Sequence, residues 1–190
     1  MSYKCIVMDE FLPSTSAARI EKLLIGKEYT GKDISWNRIP FTNNEEAGRF
    51  SLLRRENDVT WFAHDLVKEY KFVSEHANFI LSPFSKIDSM FNSQMGLKMA
   101  NLFRVRINLV PPQLPFSYFN STPFHVDNPR QHLVAIYYVN DCNGRTVLKN
   151  ITKVHPKKNR LILFDGSIEH KIKYPTRGYR CVINFNFLRR

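Results

Sequence analysis

Apolar residues recur at every second position in the second half of the chain, and this period limits its fold more than any other feature. Apolar and polar side chains alternate over residues 104–109, and residues 133–139 form a continuous apolar run. Alternation predicts a strand with one buried face, and a short continuous run is typical of a strand buried on both faces. Further strands are predicted at 146–148, 160–164 and 180–188, next to Asn-Gly and Asp-Gly turn signals. Many short strands with such turns indicate a β-sandwich or a closed barrel.

The first half of the chain shows a helical period instead. Apolar stripes run over residues 17–24 and 80–95, and a glycine that can end a helix follows each stripe. Residues 61–70 are predicted as a further helix, and residues 31–44 as strand or loop. The fold class is therefore α+β, mainly β.

The length and the change of period together predict the domain organisation. A chain of 190 residues suits one domain with a real hydrophobic core. We expect residues 1–190 to form this single domain. Within it, residues 1–100 are predicted to form a helical support layer and residues 101–190 a β core that carries the functional site.

The positive charge lies in the second half of the chain. Residues 101–190 carry 15 Lys and Arg against 4 Asp and Glu, and the whole chain has a net charge of +11. Such a surplus is typical of proteins that bind a polyanion, either nucleic acid or an anionic small molecule. No RNA-binding or zinc-finger motif accompanies it.

Cysteine use and the absence of targeting segments predict an intracellular protein. The three Cys are widely spaced, which indicates reduced thiols rather than a disulfide framework or a zinc knuckle. The sequence shows neither a signal peptide nor an apolar run long enough for a membrane span. We expect a cytoplasmic protein without membrane contact. The sequence carries no signal for its oligomeric state.

The last predicted strand separates two kinds of side chain onto its two faces. One face is fully apolar and is expected to pack under the N-terminal helices: Cys181, Ile183, Phe185 and Phe187. The opposite face is mixed: Arg180, Val182, Asn184 and Asn186. A buried arginine needs an anionic partner, because an unpaired buried charge is very costly. The mixed face is therefore predicted to line a pocket.

Two histidines and one aspartate are candidate metal ligands. His125 and Asp127 are two positions apart, so in an extended segment they share a face and can converge on one cation. His170 follows a predicted strand and can face them. Two His and one carboxylate with open coordination positions form the facial triad of non-haem Fe(II) oxygenases. Arg180 can hold a carboxylate bidentately, such as the far end of a 2-oxo acid that chelates the iron.

The order of these motifs resembles the 2-oxoglutarate/Fe(II)-dependent dioxygenases, and most of all their prolyl-4-hydroxylase-like branch with its small phage and bacterial members. The resemblance covers about residues 100–188 and rests on these segments: 124–127, 133–140, 143–146, 156–166, His170 and 180–185. Residues 7–13 also resemble the N-terminal entry of that branch. The resemblance implies a double-stranded β-helix, or jelly roll, with supporting N-terminal helices.

The same resemblance implies roles for individual residues. His125, Asp127 and His170 are expected to bind iron, and Arg180 to bind the distal carboxylate of 2-oxoglutarate; these four form the predicted catalytic set. A second contact to the co-substrate is expected from one of four further candidates: Tyr137, Asn108, Tyr118 and Asn184.

The resemblance also implies an activity. The enzyme would hydroxylate a substrate C–H group with O2 and release succinate and CO2, using Fe(II) and 2-oxoglutarate, with ascorbate as a further candidate cofactor. A prolyl or other peptidyl side chain is the leading substrate class, and a small molecule stays open. The basic half of the chain keeps two alternatives open: a nucleic-acid-directed dioxygenase (an oxidative demethylase) and a non-catalytic jelly roll that binds a polyanion.

Two segments depart from the pattern of the branch or extend it. Many members have Gly-Gly-Glu-Thr where this chain has Asn-Gly-Arg-Thr at residues 143–146. The change is expected to put the positive charge of Arg145 at the rim of the pocket. Residues 111–124 are long and rich in proline, and they are predicted to form a lid or a substrate loop.

Overall fold

The computed structural model describes residues 5–26, 34–40, 60–87, 101–113 and 120–188. Its helices are α1 (Ser14–Ile25), α2 (Ala77–Leu81) and a 3-10 helix (Ser82–Phe84). Its strands are β1 (Cys5–Met8), β2 (Asn37–Pro40), β3 (Thr60–Lys68), β4 (Lys71–Phe72), β5 (Leu102–Val110), β6 (His132–Tyr138), β7 (Arg145–Leu148), β8 (Thr152–Val154), β9 (Arg160–Asp165), β10 (His170–Lys173) and β11 (Arg180–Leu188).

The described strands form two antiparallel sheets. The large sheet has the order β1-β9-β6-β11-β5-β3-β2, and β4 pairs with β3 at its side. The small sheet has the order β10-β7-β8. The small sheet packs on one face of the large sheet, and α1, α2 and the 3-10 helix pack on the other. This arrangement confirms the prediction of a mainly β jelly roll with supporting helices.

The continuous apolar run at β6 lies at the centre of the large sheet because both faces of this strand are buried. Leu133, Ala135 and Tyr137 belong to the core under the helices. Val134 and Tyr138 belong to a second apolar cluster, which also contains residues of β7 and β8 in the small sheet. Burial on both faces thus explains why the sequence shows no alternation here.

One face of strand β11 packs under the helices, and its other face lines the opposite side of the sheet. Its apolar side chains pack with the buried stripe of α1, as predicted. Phe84, in the 3-10 helix, is fully buried and holds the helical layer on the sheet. Its ring centroid lies 5.0 Å from that of Tyr137 and 4.9 Å from that of Phe185.

The prediction of a helix over residues 61–70 is wrong, because most of this segment belongs to strand β3. The strand is paired along most of its length with β5. A register shift between Asp65 and Val67 interrupts the pairing, and Leu66 and Val67 are both buried as a result. Two adjacent buried residues break the period of two, so the apolar spacing of β3 imitates a helical stripe.

The first hundred residues therefore contribute strands as well as helices. β1 pairs with β9, and β3 pairs with β5, so both belong to the large sheet. Of the stripe predicted over 80–95, residues 80, 84 and 87 are buried, and its later positions lie outside the described residues. β2 lies within the segment predicted as strand or loop. The single domain stays a prediction.

No helix in the described ranges is long and apolar enough to cross a lipid bilayer. The cytoplasmic location stays a prediction.

The packing around Phe84 gives a test of the fold. Phe84→Ala is expected to lower the free energy of unfolding by about 3–5 kcal/mol, because it leaves a cavity between the 3-10 helix and the sheet. Phe79→Ala is the matched control on α2, since Phe79 is 49% exposed, and it should cost less than about 0.5 kcal/mol. Urea unfolding measures both values, and equal losses would contradict the central position of Phe84.

Candidate active site

A cavity of about 220 Å³ opens on the side of the large sheet that faces the small sheet. The inner faces of β5, β10 and β11 and the segment before β6 line it. The mixed face of β11 contributes Arg180, Val182 and Asn184 to the wall. The pocket predicted from the alternation of β11 is therefore present.

Paired backbone hydrogen bonds bring the two candidate histidines together. The backbone N–H of His125 donates to the carbonyl oxygen of His170 at 3.0 Å, and the N–H of His170 donates to the carbonyl of His125 at 2.9 Å. This isolated antiparallel bridge joins the segment before β6 to the start of β10. The two imidazole centroids lie 4.7 Å apart.

Asp127 completes a group of three converging ligand atoms. Its Oδ1 lies 3.8 Å from Nε2 of His125 and 3.7 Å from Nε2 of His170. The three ligand atoms all lie within 4.8 Å of one another. A metal ion bound by such groups lies about 2 Å from each ligand atom, so one ion fits between them.

Backbone carbonyls orient both imidazoles toward this centre. Nδ1 of His125 lies 3.1 Å from the carbonyl oxygen of Pro123, and Nδ1 of His170 lies 3.2 Å from that of Ile168. A carbonyl only accepts, so each Nδ1 carries a proton and each Nε2 is the ring nitrogen that points to the centre. Outer hydrogen bonds of this kind are typical of metal-binding histidines.

The Asp127 carboxylate is held by two amides as well as by the histidines. Its Oδ2 accepts hydrogen bonds from Nδ2 of Asn184 and Nδ2 of Asn186, both at 2.9 Å, and lies 3.7 Å from Nη2 of Arg104. Burial alone would raise its pKa. The contacts with His170, Arg104 and Asn186 outweigh burial and hold the pKa well below its usual range. The group is therefore a carboxylate.

The imidazole of His125 is held in its neutral form. Burial is the main cause that lowers its pKa, and the neighbouring His170 lowers it further. A neutral imidazole beside an ionised carboxylate is the protonation state in which these groups bind metals.

Arg180 is the most deeply buried cation in the described wall of the cavity and is only 1% exposed. Its Nη2 donates to Oγ1 of Thr146 at 2.9 Å, and the same oxygen accepts from the hydroxyl of Tyr138 at 2.7 Å. Nε and Nη1 have no hydrogen-bond partner among the described residues. A buried guanidinium with two unpaired N–H directions requires an anion, so the cavity has an anion site at this end.

Gly144 leaves room for the side chain of Arg180. A Cβ atom at this position would lie 3.0 Å from the carbonyl oxygen of Lys173 and 3.4 Å from Cδ of Arg180. A larger residue would therefore press on the backbone of β10 and on the guanidinium stem. The glycine of the Asn-Gly turn thus has a packing role beside the anion site.

The four candidates for a second co-substrate contact are placed differently. Asn108 and Asn184 line the cavity. Tyr137 does not, because it lies on the opposite face of β6, where its hydroxyl donates to Oδ1 of Asn159 at 3.1 Å. Its neighbour Tyr138 faces the cavity side instead. Tyr118 lies outside the described residues.

Strand geometry also decides the direction of Arg145. Thr146 lines the cavity, so the adjacent Arg145 points to the outer face of β7, opposite the predicted direction.

The predicted lid over residues 111–124 is described in part. Thr122 and Pro123 line the cavity, and residues 114–119 lie outside the described residues.

Sequence reasoning missed Thr146 and Tyr138 as site residues. It placed Asn186 on the pocket face of β11 by alternation, but gave it no role beside Asp127. Thr146 lies in the segment that carried the resemblance, but nothing in the sequence indicates that its hydroxyl would meet the guanidinium. That contact depends on the pairing of β7 with β10.

The amide contacts of Asp127 predict a measurable loss when one is removed. Asn186→Ala is expected to weaken divalent metal binding by about 10- to 100-fold, because outer-shell partners orient the ligand carboxylate. Asn78→Ala, on the exposed side of α2, is the matched control and should leave the affinity unchanged. Calorimetric titration with Mn²⁺ or Fe²⁺ gives both affinities. Equal affinities for the two variants would show that the amide does not support the site.

No family model matches the chain, and no curated protein matches it in sequence. Solved structures match it over nearly its whole length. A prolyl-4-hydroxylase from Pseudomonas putida is 16% identical with a TM-score of 0.65, over 98% of this chain and 94% of that chain. An oxidoreductase of the 2OG-Fe(II) oxygenase family from Burkholderia pseudomallei is 10% identical with a TM-score of 0.68, over 98% and 86%.

A third similar structure holds a peptide. It is a prolyl hydroxylase from Trichoplax adhaerens in complex with a hypoxia-inducible factor peptide fragment, 15% identical with a TM-score of 0.65, over 97% of this chain and 83% of that chain. Identities this low establish the fold. The chain therefore has the prolyl-4-hydroxylase-like fold of the 2OG-Fe(II) oxygenases.

Proposed function

We propose that the protein is an oxygenase that uses Fe(II), 2-oxoglutarate and O2 to hydroxylate a substrate C–H group. The observation that carries this proposal is the meeting of two sites in one cavity. Three metal-ligand atoms from His125, Asp127 and His170 converge at one end, and the unpaired N–H groups of Arg180 lie at the other.

The donor set fits a ferrous ion. Two imidazoles and one carboxylate leave coordination positions open, and this combination is characteristic of non-haem Fe(II) oxygenases. Closed structural metal sites use four protein ligands instead. Among the described residues no other group of three His, Cys, Asp or Glu side chains converges in this way.

Arg180 fits the far carboxylate of the co-substrate. Asn184, which donates to Asp127, lies four positions after Arg180 on β11. The Cα atoms of Arg180 and Asn184 are therefore about 13 Å apart along the strand. The arginine side chain and a five-carbon dicarboxylate together span such a distance. Thr146 would share the carboxylate, because its hydroxyl already holds one guanidinium N–H. Asn108 and Asn184 stay as candidates for a further contact.

The residues of the chain have separate tasks in this proposal. A bound ferrous ion with 2-oxoglutarate and O2 supplies the oxidising chemistry, with succinate and CO2 as products. His125, Asp127 and His170 hold the metal geometry, and Arg180 fixes the orientation of the co-substrate. Apolar walls from Ile136, Ile172 and Val182 keep water out of the space between them.

A prolyl or other peptidyl side chain is the substrate class that we propose. The solved structures of similar fold include a prolyl-4-hydroxylase, and the Trichoplax enzyme is in complex with a peptide fragment. The shared fold and the candidate metal site support the reaction class, and the peptide in the Trichoplax structure supports the substrate class. The volume of the cavity suits one side chain of a substrate beside the co-substrate.

The metal triad gives the main test of the proposal. Anaerobic addition of Fe(II) and 2-oxoglutarate should produce the weak visible metal-to-ligand charge-transfer band of this class of enzyme. His125→Ala should abolish the band and the conversion of 2-oxoglutarate to succinate, because one of three protein ligands is lost. His155→Ala, at an exposed histidine, is the matched control and should keep both.

The absence of the band in the unaltered protein would contradict the proposal and favour a non-catalytic jelly roll. Succinate formation at the unaltered rate by His125→Ala would show that the triad is assigned to the wrong residues.

The anion site has its own test. Arg180→Gln should raise the 2-oxoglutarate concentration needed for half-maximal turnover by about 10- to 100-fold, since hydrogen bonds to charged groups contribute about 1.5–3 kcal/mol. Arg177→Gln is the control, because Arg177 is exposed in the turn before β11. Steady-state succinate assays give both values. An unchanged requirement in Arg180→Gln would place the carboxylate elsewhere.

A further inference from the structure

A row of three cations leads away from the metal triad on the cavity face of the large sheet. The paired positions across β11, β5, β3 and β4 are Asn186↔Arg104, Arg104↔Lys68 and Lys68↔Lys71. Residues that pair directly across antiparallel strands project from the same face of a sheet. Arg104, Lys68 and Lys71 therefore stand side by side, about 5 Å apart from strand to strand.

The inner end of this cationic row touches the active site. Nη2 of Arg104 lies 3.7 Å from Oδ2 of Asp127, and Asn186 beside it donates to the same oxygen. Arg104 lines the cavity, and its buried Nε has no hydrogen-bond partner in the described ranges. The outer end of the row, at Lys68 and Lys71, is exposed to solvent.

The described residues offer little negative charge to balance the row. Two acids lie close to the row: Glu69 is exposed in the turn between Lys68 and Lys71, and Asp65 is paired with Arg106 through two hydrogen bonds of 2.6 and 3.0 Å. The charge of Asp127 would be used by a bound metal ion. Neither Lys68 nor Lys71 forms an ion pair in the part of the chain that the structure describes. Like charges that face each other across strands destabilise a sheet, so an anionic ligand would relieve this arrangement.

The co-substrate cannot be that ligand. Arg180 is paired with Val110 and Asn186 with Arg104, so the two arginines stand at positions six residues apart along the strands. This separation is about 20 Å between their Cα atoms, with the metal triad beside the second one. A five-carbon dicarboxylate that spans from Arg180 to the metal uses both of its carboxylates there, so it leaves the outer cations Lys68 and Lys71 without an anion. The row is therefore open to the other reactant.

We propose that the cationic row Arg104–Lys68–Lys71 binds acidic side chains of a peptide substrate, next to the residue that is hydroxylated. This inference rests on the proposed function and specifies its substrate class as an acidic peptide. The row holds only three cations and starts at the metal triad, which fits a few carboxylates of a short extended segment. A nucleic-acid track generally neutralises more phosphates than three.

The test compares two labelled peptides by fluorescence anisotropy at low ionic strength, where exposed charges are least screened. One peptide has a central proline followed by a run of glutamates, and the other has glutamines in their place. The unaltered protein should bind the glutamate peptide about tenfold more tightly, since two or three weak exposed ion pairs act together. Equal binding of the two peptides would overturn the inference.

Charge reversal assigns the preference to the row. Lys68→Glu combined with Lys71→Glu should abolish the preference for glutamate and should favour a third peptide with a run of lysines. Lys153→Glu makes the same kind of change at an exposed position of β8 and should keep the preference. Arg104 stays unaltered, because its substitution would also disturb Asp127. A preference that survives the double reversal, or that Lys153→Glu removes as well, overturns the inference.

Two further outcomes separate the possibilities. Tighter binding of a single-stranded oligothymidylate than of the glutamate peptide, lost in the double variant, would overturn the inference in favour of nucleic acid. Anisotropy needs neither iron nor co-substrate, so it is independent of the charge-transfer band. A band without the glutamate preference overturns this inference alone, and the preference without the band overturns the proposed oxygenase instead.

Discussion

The alternation of side chains along β11 is the constraint on which the rest of the structure depends. Phe185 and its apolar neighbours face the helices, so Arg180, Asn184 and Asn186 must face the cavity. A slip of one residue in the pairing with β5 and β6 would exchange the faces and bury a guanidinium in the apolar core. Core packing therefore specifies the register, and the register places the anion site and the amides that hold Asp127.

The candidate site divides into rigid parts with different electrostatic roles. Backbone hydrogen bonds between His125 and His170 set the distance between two candidate metal ligands, and Asp127 is fixed by amides of the central sheet. Arg180 and Arg104 place positive charge on either side of this centre. Such a cavity favours anions over neutral molecules at both ends, and it gives a physical role to part of the basic charge in the second half of the chain.

Sequence reasoning reached most of the fold because burial patterns are local. The period of two in β5 and β11 and the continuous run in β6 report which faces are buried, and these three strands are predicted from them, whereas the short strands β1, β8 and β10 are not. The convergence of two candidate metal ligands is predictable for a similar reason, since His125 and Asp127 share a face by spacing alone. β3 was missed because the register shift at Asp65–Val67 removes the alternation that identifies a strand. Nothing in the local sequence reveals a bulge, which depends on the partner strand.

Contacts between strands that are far apart in the sequence cannot be predicted from any local pattern. Tyr137 and Tyr138 are adjacent and chemically alike, and only the position of the helices decides which one faces the cavity. The cationic row is an even clearer case, since Arg104, Lys68 and Lys71 look like ordinary surface charges in the sequence. They become one feature when β5, β3 and β4 pair in register. Like charges brought together in this way oppose folding, so their arrangement is better explained by a ligand than by the stability of the sheet.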